Sequence, residues 1–548
     1  NLNFSIKQIR AALGDNARTP TYIETLPRRG YRFLARPERP VSTPERSAPE
    51  AEPAQPAISS KGRRRWALTA VALLVLLAGA GLLALRWRAR TPSFGKTMVL
   101  VLPCEDLSGQ AGQEYLAGGL TEELMTRLGQ LDPARLGVIA ATAAGGRANT
   151  REMGRQFGAA YVLQGSLRTS GRRIRVAARL YRASDRVQTW SENYDRDLTD
   201  VLALESELAE AIAREVHVRL APREMRAVQA HAVDPETHGL YLKGRFFWRK
   251  RGADGLKKAI EYFEQAVAKD PDYAAAYAGL SDSYGRLAYY SGVAPAQWLT
   301  RSREAALKAV ALDPALAEAH TAMARIKMEY EWDWKASEEE YRRAIELNPS
   351  DASAHHDFAY YYTAVGRSGK ALQEALRAVA LDPLSAHNNN ALATQLFFAR
   401  QYPQAVEQHR AALELESQFP LAHAFLGLSY GKRALWPEAI AECESAVTIS
   451  HAEPFTLGAL AQVYAAAGRV QKARELLARM RAAPYPPPYE VALVYAVLGD
   501  RDEAFRWLSR AEAERAPWLT FIRSDPRADG LRGDPRYNAL LRRLHLSS

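Results

Sequence analysis

A proline and small-residue pattern that recurs about every 34 residues constrains this chain more than any other feature. Pro314, Pro349 and Pro383 stand 35 and 34 positions apart, and the same slot continues at Ser417 and His451. Alanines fill two further slots, one at Ala259, Ala371, Ala405, Ala439 and Ala473, the other at Ala266, Ala344, Ala378, Ala412 and Ala446. Small residues mark where two antiparallel helices press together, and proline stops the second helix before the next pair begins. Stacked helix pairs are therefore expected over residues 236–516, in about eight units, followed by a C-terminal helical tail at 517–548. Two irregularities break the period, an insertion of about nine residues around Tyr289–Thr300 and one extra residue near Trp332–Trp334.

With 548 residues the chain is too long for one domain, and its composition changes ahead of the solenoid. Residues 66–85, WALTAVALLVLLAGAGLLAL, run twenty positions without a charge. At 1.5 Å per residue such a run spans a hydrocarbon core of roughly 30 Å. One transmembrane helix is expected at 65–86, with Trp66 and Trp87 at its two interfaces. The Pro-, Ser-, Ala- and Glu-rich stretch at 37–64 has too few apolar side chains to order itself and reads as a flexible linker. Residues 1–90 hold 16 Lys and Arg against 6 Asp and Glu, nearly the whole of the +11 net charge. That excess points to a polyanion, either nucleic acid or an anionic lipid surface. The chain opens at Asn1, without Met and inside a patterned segment, and is expected to lack an upstream part.

Between the apolar run and the solenoid, residues 97–222 alternate apolar runs with amphipathic stretches, which reads as an α/β domain. Met98–Leu102, Val138–Ala141, Tyr161–Leu167, Ile174–Tyr181 and Gln188–Tyr194 are its expected strands, and Tyr115–Leu128, Arg151–Phe157 and Asp200–Leu220 its expected helices. Gly118–Gly119 lacks the Lys that a phosphate loop needs and is read as a turn. In residues 1–36 the apolar positions Leu2, Ile6, Ile9 and Leu13 share one helix face, Gly14 stops the helix, and two strands follow around Pro27–Gly30.

Three resemblances follow from these segments. AIEYFEQAVAKDP, ASEEEYRRAIELNP and ALQEALRAVALDP resemble tetratricopeptide (TPR) repeats. The geometry of that family implies a concave groove lined by the first helix of each pair, presenting His356, Tyr360, Asn390 and Thr394 to a protein or peptide partner. Residues 97–222 resemble the TolB/FlgO-like domain of bacterial envelope proteins. Residues 1–36, with Y-I-E-T followed by R-R-G-Y-R-F, resemble the C-terminal part of an OmpR/PhoB-type winged helix, as in membrane-anchored regulators of the CadC/ToxR kind. This last resemblance implies duplex DNA contacts by Phe4, Lys7, Gln8 and Arg10 on the recognition helix and by Arg28, Arg29 and Arg32 on the wing.

The expected fold is multidomain, with a winged-helix remnant, one transmembrane helix, an α/β TolB-like domain and an all-α TPR solenoid. No catalytic constellation, metal site or cofactor is expected. His355 and His356 are adjacent and so point to different helix sides, no H-E-x-x-H occurs, and two cysteines cannot build a disulfide framework. The function these parts imply is a single-pass DNA-binding transcriptional regulator of the inner membrane. Its N-terminus would be cytoplasmic and its sensory or protein-binding region periplasmic, with lipid bilayer, protein or peptide, and a second copy of the chain as partners. Two alternatives stay open: an envelope TPR scaffold without DNA binding, and an accessory part of a cyclase-like signalling protein.

Overall fold

A computed structural model describes residues 23–26, 30–33, 96–109, 114–141, 150–216, 233–250, 252–290 and 293–546. It divides into two units, 1–86 and 87–548. In the first unit, strands β1 (Ile23–Leu26) and β2 (Gly30–Phe33) form an antiparallel hairpin in which Ile23 pairs with Phe33 and Leu26 with Gly30. Arg32 lies on β2. Phe4, Lys7, Gln8, Arg10, Arg28 and Arg29, the linker and the apolar run at 66–85 lie outside the described residues. Among the described residues, no helix is long and apolar enough to cross a membrane.

The second unit begins with an α/β domain. Strands β3 (Thr97–Val101), β4 (Glu105–Asp106), β5 (Leu136–Ala140), β6 (Tyr161–Ser170), β7 (Arg173–Arg182) and β8 (Gln188–Asp197) form one sheet in the order β5-β3-β6-β7-β8, with β4 beside β6. Its β5-β3-β6 side is parallel and its β6-β7-β8 side antiparallel. The two sides read differently in sequence because they are covered differently. β3 is a continuous apolar run: Val99 and Val101 enter one core, and Met98 and Leu100 another on the opposite face. β7 alternates, burying Ile174, Val176, Ala178 and Leu180 on one face only. Helices α1 (Glu114–Leu131) and α3 (Val201–Glu215) share the first core, and α2 (Thr150–Gln156) lies against the second. Gly118 and Gly119 are not a turn but lie within α1. A Cβ on Gly119 would fall 2.8 Å from Leu242 of the next helix, so the glycine permits close approach of the solenoid. Cys104 is packed beneath α1, and burial with Asp106 and Glu105 nearby pushes its thiol up to about 12, which removes it from thiolate chemistry.

The solenoid consists of eight helix hairpins among the described residues. They are α4/α5 (Pro235–Arg249, Gly252–Lys269), α6/α7 (Ala274–Tyr290, Ala296–Leu312), α8/α9 (Ala317–Ile326, Trp334–Leu347) and α10/α11 (Ala352–Ala364, Ser368–Leu381). Next come α12/α13 (Ala386–Phe398, Tyr402–Leu415), α14/α15 (Pro420–Gly431, Trp436–Ile449), α16/α17 (Pro454–Ala466, Val470–Arg481) and α18/α19 (Pro488–Leu498, Arg501–Ala513). The periodic alanines are all buried, as close-packed helix pairs require. Around the first irregularity α6 and α7 are each 17 residues long, and the extra residue before Trp334 becomes a π-helical turn at Lys327–Glu331, closed by Trp332 in the left-handed region.

A polar clamp repeats with the hairpins. The Nδ1 of His320, His355 and His423 lies 2.6 Å from Glu340, Glu374 and Glu442 respectively, each on the second helix of its pair. The Nε2 of each faces a backbone carbonyl six residues earlier, at Pro314, Pro349 and Ser417. In the intervening hairpin Asn389 and Gln408 replace the pair, with Asn389 donating to Pro383 O and Gln408 donating to Asn389 Oδ1.

The expected helical tail is helical only in part. Two short 3-10 turns, Pro517–Phe521 and Pro526–Leu531, precede α20 (Pro535–Arg543). The tail turns back into the solenoid. Trp518 stacks on Phe455 with ring centroids 4.7 Å apart and meets Tyr289 edge-on at 5.5 Å, Phe521 packs on Tyr360 and Phe398, and Trp334 Nε1 donates to Leu544 O at 2.8 Å. Arg527 is buried among these rings, paired with Asp525 at 2.8 Å and Glu490 at 3.0 Å.

Candidate functional site

Where the tail does not reach, the concave face is covered by the α/β domain instead. At one end, Glu122 of α1 receives Arg245 at 3.0 Å and Arg249 at 2.9 Å from α4. A buried contact continues this seam, with His238 Nε2 of α4 3.2 Å from Glu205 of α3. At the other end, the Val138 amide of β5 donates to Ser350 Oγ at 3.1 Å, just ahead of α10. The α/β domain thus bridges the first and fourth hairpins, and beneath the bridge lies a cleft of about 500 Å³. Its floor comes from the first helices α4, α6, α8, α10 and α12, its roof from α1 and β5.

The floor is crossed by a charged lattice. Arg286 Nη2 lies 3.2 Å and Arg325 Nη2 2.8 Å from Asp357, while Asp282 is shared by both guanidiniums and also accepts from Trp248 Nε1. Burial alone would raise the Asp357 carboxyl, but Arg325 and Arg286 outweigh it and hold it below the carboxylate range. The fixed pairs set helix positions across three hairpins. Glu318 behaves oppositely. Burial, then the nearby Asp351, pushes its carboxyl up to about 7, and its Oε2 is buried without a hydrogen-bond partner.

Of the four groove residues expected from sequence, His356 lines this cleft, with Nδ1 3.1 Å from Asn388 Oδ1. The other three are not presented. Tyr360 stands against Phe521 of the tail, with ring centroids 5.7 Å apart. Thr394 is fully buried and donates to Asn390 O at 2.8 Å. Asn390 is 2% exposed, and its Oδ1 accepts from His409 within the same hairpin. Burial drops the His409 imidazole to about 3, which leaves it neutral. For Tyr360 the physical reason is the tail, whose Phe521 packs on it, whereas Asn390 and Thr394 are taken up within their own hairpin. Sequence reading missed Glu318 and Asp351 because each stands singly within an ordinary repeat, and the fold alone brings them together with Glu123 of α1. Among the described residues, no group of His, Cys, Asp and Glu is arranged to hold a metal ion.

Comparison with known proteins accords with the repeat architecture. The tetratricopeptide repeat family profile matches residues 340–373, from within α9 into α11, and together with the hairpins it shows the solenoid to be built of TPR repeats. The chain is 33% identical over 191 residues to "Putative adenylate cyclase 3" of Rhizobium meliloti (strain 1021), a match covering 34% of this chain and 32% of that protein. It therefore spans about a third of that relative's length. Similar solved structures include PilW, a type IV pilus biogenesis factor, at 18% identity and TM-score 0.32, covering 39% of this chain and 97% of that one. They also include PilF of Pseudomonas aeruginosa at 18% identity and TM-score 0.27, covering 45% and 97%. YrrB, a TPR protein with an unusual peptide-binding site, matches at 18% identity and TM-score 0.25, covering 36% and 96%.

Proposed function

We propose that this chain is a TPR scaffold, the partner-binding and non-catalytic region of a cyclase-like signalling protein. The cleft between the α/β domain and the first hairpins carries this reading, because it is open and lined by converging polar groups where the rest of the concave face is filled. The sequence match to the Rhizobium meliloti protein supports the signalling context. A photo-cross-linking amino acid at His356 tests it: a partner protein is captured in cells from this position, whereas the same reagent at tail-covered Tyr360 captures none. Equal capture from both positions, or none from His356, refutes the cleft as the partner site. The purified chain with ATP and Mg²⁺ forms no cyclic AMP under this reading.

One observation favours a second reading, the regulator. Strands β1 and β2 pair antiparallel, as the two strands of a wing do. Under it, Phe4, Lys7, Gln8 and Arg10 read duplex DNA, Arg28, Arg29 and Arg32 hold phosphates, residues 66–85 cross the inner membrane, and residues 91–548 lie in the periplasm, where pairing of two copies transmits the signal. DNA affinity then falls steeply with salt. The Arg28→Ala/Arg29→Ala pair should flatten the log–log salt slope by about two. An unchanged slope removes this reading and leaves the scaffold.

A further inference from the structure

The charges lining the cleft do not balance. Eight carboxylates face three arginines, Arg245, Arg249 and Arg286. All three arginines are committed, Arg245 and Arg249 to Glu122, and Arg286 to Asp282 and Asp357; behind the lining, Arg127 pairs with Glu123 and Arg325 with Asp282 and Asp357, so the carboxyls of Glu318 and Asp351 are left without an arginine. What remains is a local anionic excess around Glu318. Asp351 lies close enough to raise its carboxyl further, Glu123 of α1 adds to this, and Arg245 only partly opposes it. Asp351 caps α10 by accepting from the Ser353 amide at 2.8 Å, so its position is fixed by the helix it begins.

An acidic surface patch would be solvated and need no explanation. Here one oxygen, Glu318 Oε2, is removed from water and finds no donor in the chain. A buried acceptor left unmade is costly, more so when charged, and a donor arriving from outside recovers that cost. We infer that the cleft receives a lysine or arginine side chain of a partner protein, its cation seated against Glu318 and Asp351. This deepens the partner-binding reading above and rests on it. A bare metal ion is disfavoured by the lack of a suitable ligand cluster among the described residues. The cleft's length, from α1 across to the start of α12, suits a peptide segment better than a small amine.

Proton linkage supplies an independent readout. The Glu318 carboxyl sits at about 7 in the free protein, and a cation beside it lowers that value, so binding expels a proton and tightens as pH rises from 6 to 8. The charged groups facing Glu318 from neighbouring elements are Glu123 on α1, Arg245 on α4 and Asp351 at the start of α10.

The test uses fluorescein-labelled, end-capped nonapeptide pools with a fixed central Lys, norleucine or Glu, titrated with the full chain and read by anisotropy. The Lys pool is expected to bind at pH 8 at least tenfold more tightly than the norleucine pool, and Glu318→Gln to abolish that difference. Asp351→Asn keeps the helix cap and serves as a second variant, expected to weaken Lys binding with unchanged thermal melting. Equal binding of the Lys and norleucine pools, or Lys binding indifferent to both variants, overturns the inference. Preferential binding of the Glu pool at the cleft also overturns it while sparing the partner-binding reading, and binding of no pool counts against both.

Discussion

Arg527→Ala is expected to destabilise the last three hairpins and the tail by about 3–5 kcal/mol, the usual cost of leaving a buried charge without its partner. The Arg527 side chain is 1% exposed, with Asp525 at 0% and Glu490 at 3%. One guanidinium is shared between two carboxyls and is enclosed by the rings of Phe455, Tyr489 and Trp518 at 5.0–5.8 Å. Tyr489 donates a further hydrogen bond to Asp525 at 2.9 Å. Burial pushes the Glu490 carboxyl up to about 7 against the opposing pull of Arg527. Urea unfolding followed by far-UV circular dichroism measures the loss. The triple variant Arg527→Met/Asp525→Asn/Glu490→Gln should recover most of it, since removing every charge leaves none unpaired. A loss below about 1 kcal/mol for Arg527→Ala would mean that water reaches the triad in solution.

The second large effect is a fall in stability as pH rises. In the clamps of His320 and His423, both ring nitrogens face acceptors, a carboxylate and a carbonyl, so both must carry protons. The hydrogen bonds to Glu340 and Glu442 raise these imidazoles above 6.5, against a smaller opposing effect of burial. A raised folded-state value contributes stability that is fully present below 6.5 and is lost as pH climbs through the folded value. Melting temperature is therefore expected to drop between pH 6 and pH 8. Buried Glu318, Glu329 and Glu490, each pushed up to about 7, slope in the same direction from their ordinary range upward. The clamps are isolated by His320→Asn/Glu340→Gln and His423→Asn/Glu442→Gln, which copy the uncharged pair that Asn389 and Gln408 already form. These variants should flatten the slope between pH 6 and 8, and an unaltered slope would assign it to the carboxyls alone.

How much of this was legible depended on the range of the interaction. Ala344 and Ala378 announced helix crossings because a small residue is demanded at each repeat, and both are fully buried. β3 and β7 were readable because coverage on two faces and on one face leaves different patterns along a single strand. The return of the tail was not readable. Trp518, Phe521 and Arg527 lie in a short stretch with no period, and their partners, from Tyr289 to Tyr489, are scattered over the whole solenoid. For the same reason Tyr360 was expected to face a partner, because nothing near it in sequence records that Phe521 covers it; Asn390 and Thr394, on the next first helix, are instead taken up within their own hairpin. His356 escaped this only because it lies beyond the tail's reach.

A solenoid ordinarily gains its contacts in the order in which it is made, each hairpin docking on the one before, so that its folding is local and fast. The tail of this chain breaks that order. Phe398, Phe425 and Phe455 are completed only by Trp518 and Phe521, which leave the ribosome after all eight hairpins. At roughly 5–20 residues per second, the inner surface of the middle hairpins stays open for several seconds during every round of synthesis. That interval is when this protein is most exposed to aggregation and to chaperone capture, and it closes with a single late event that converts a string of neighbour contacts into a ring.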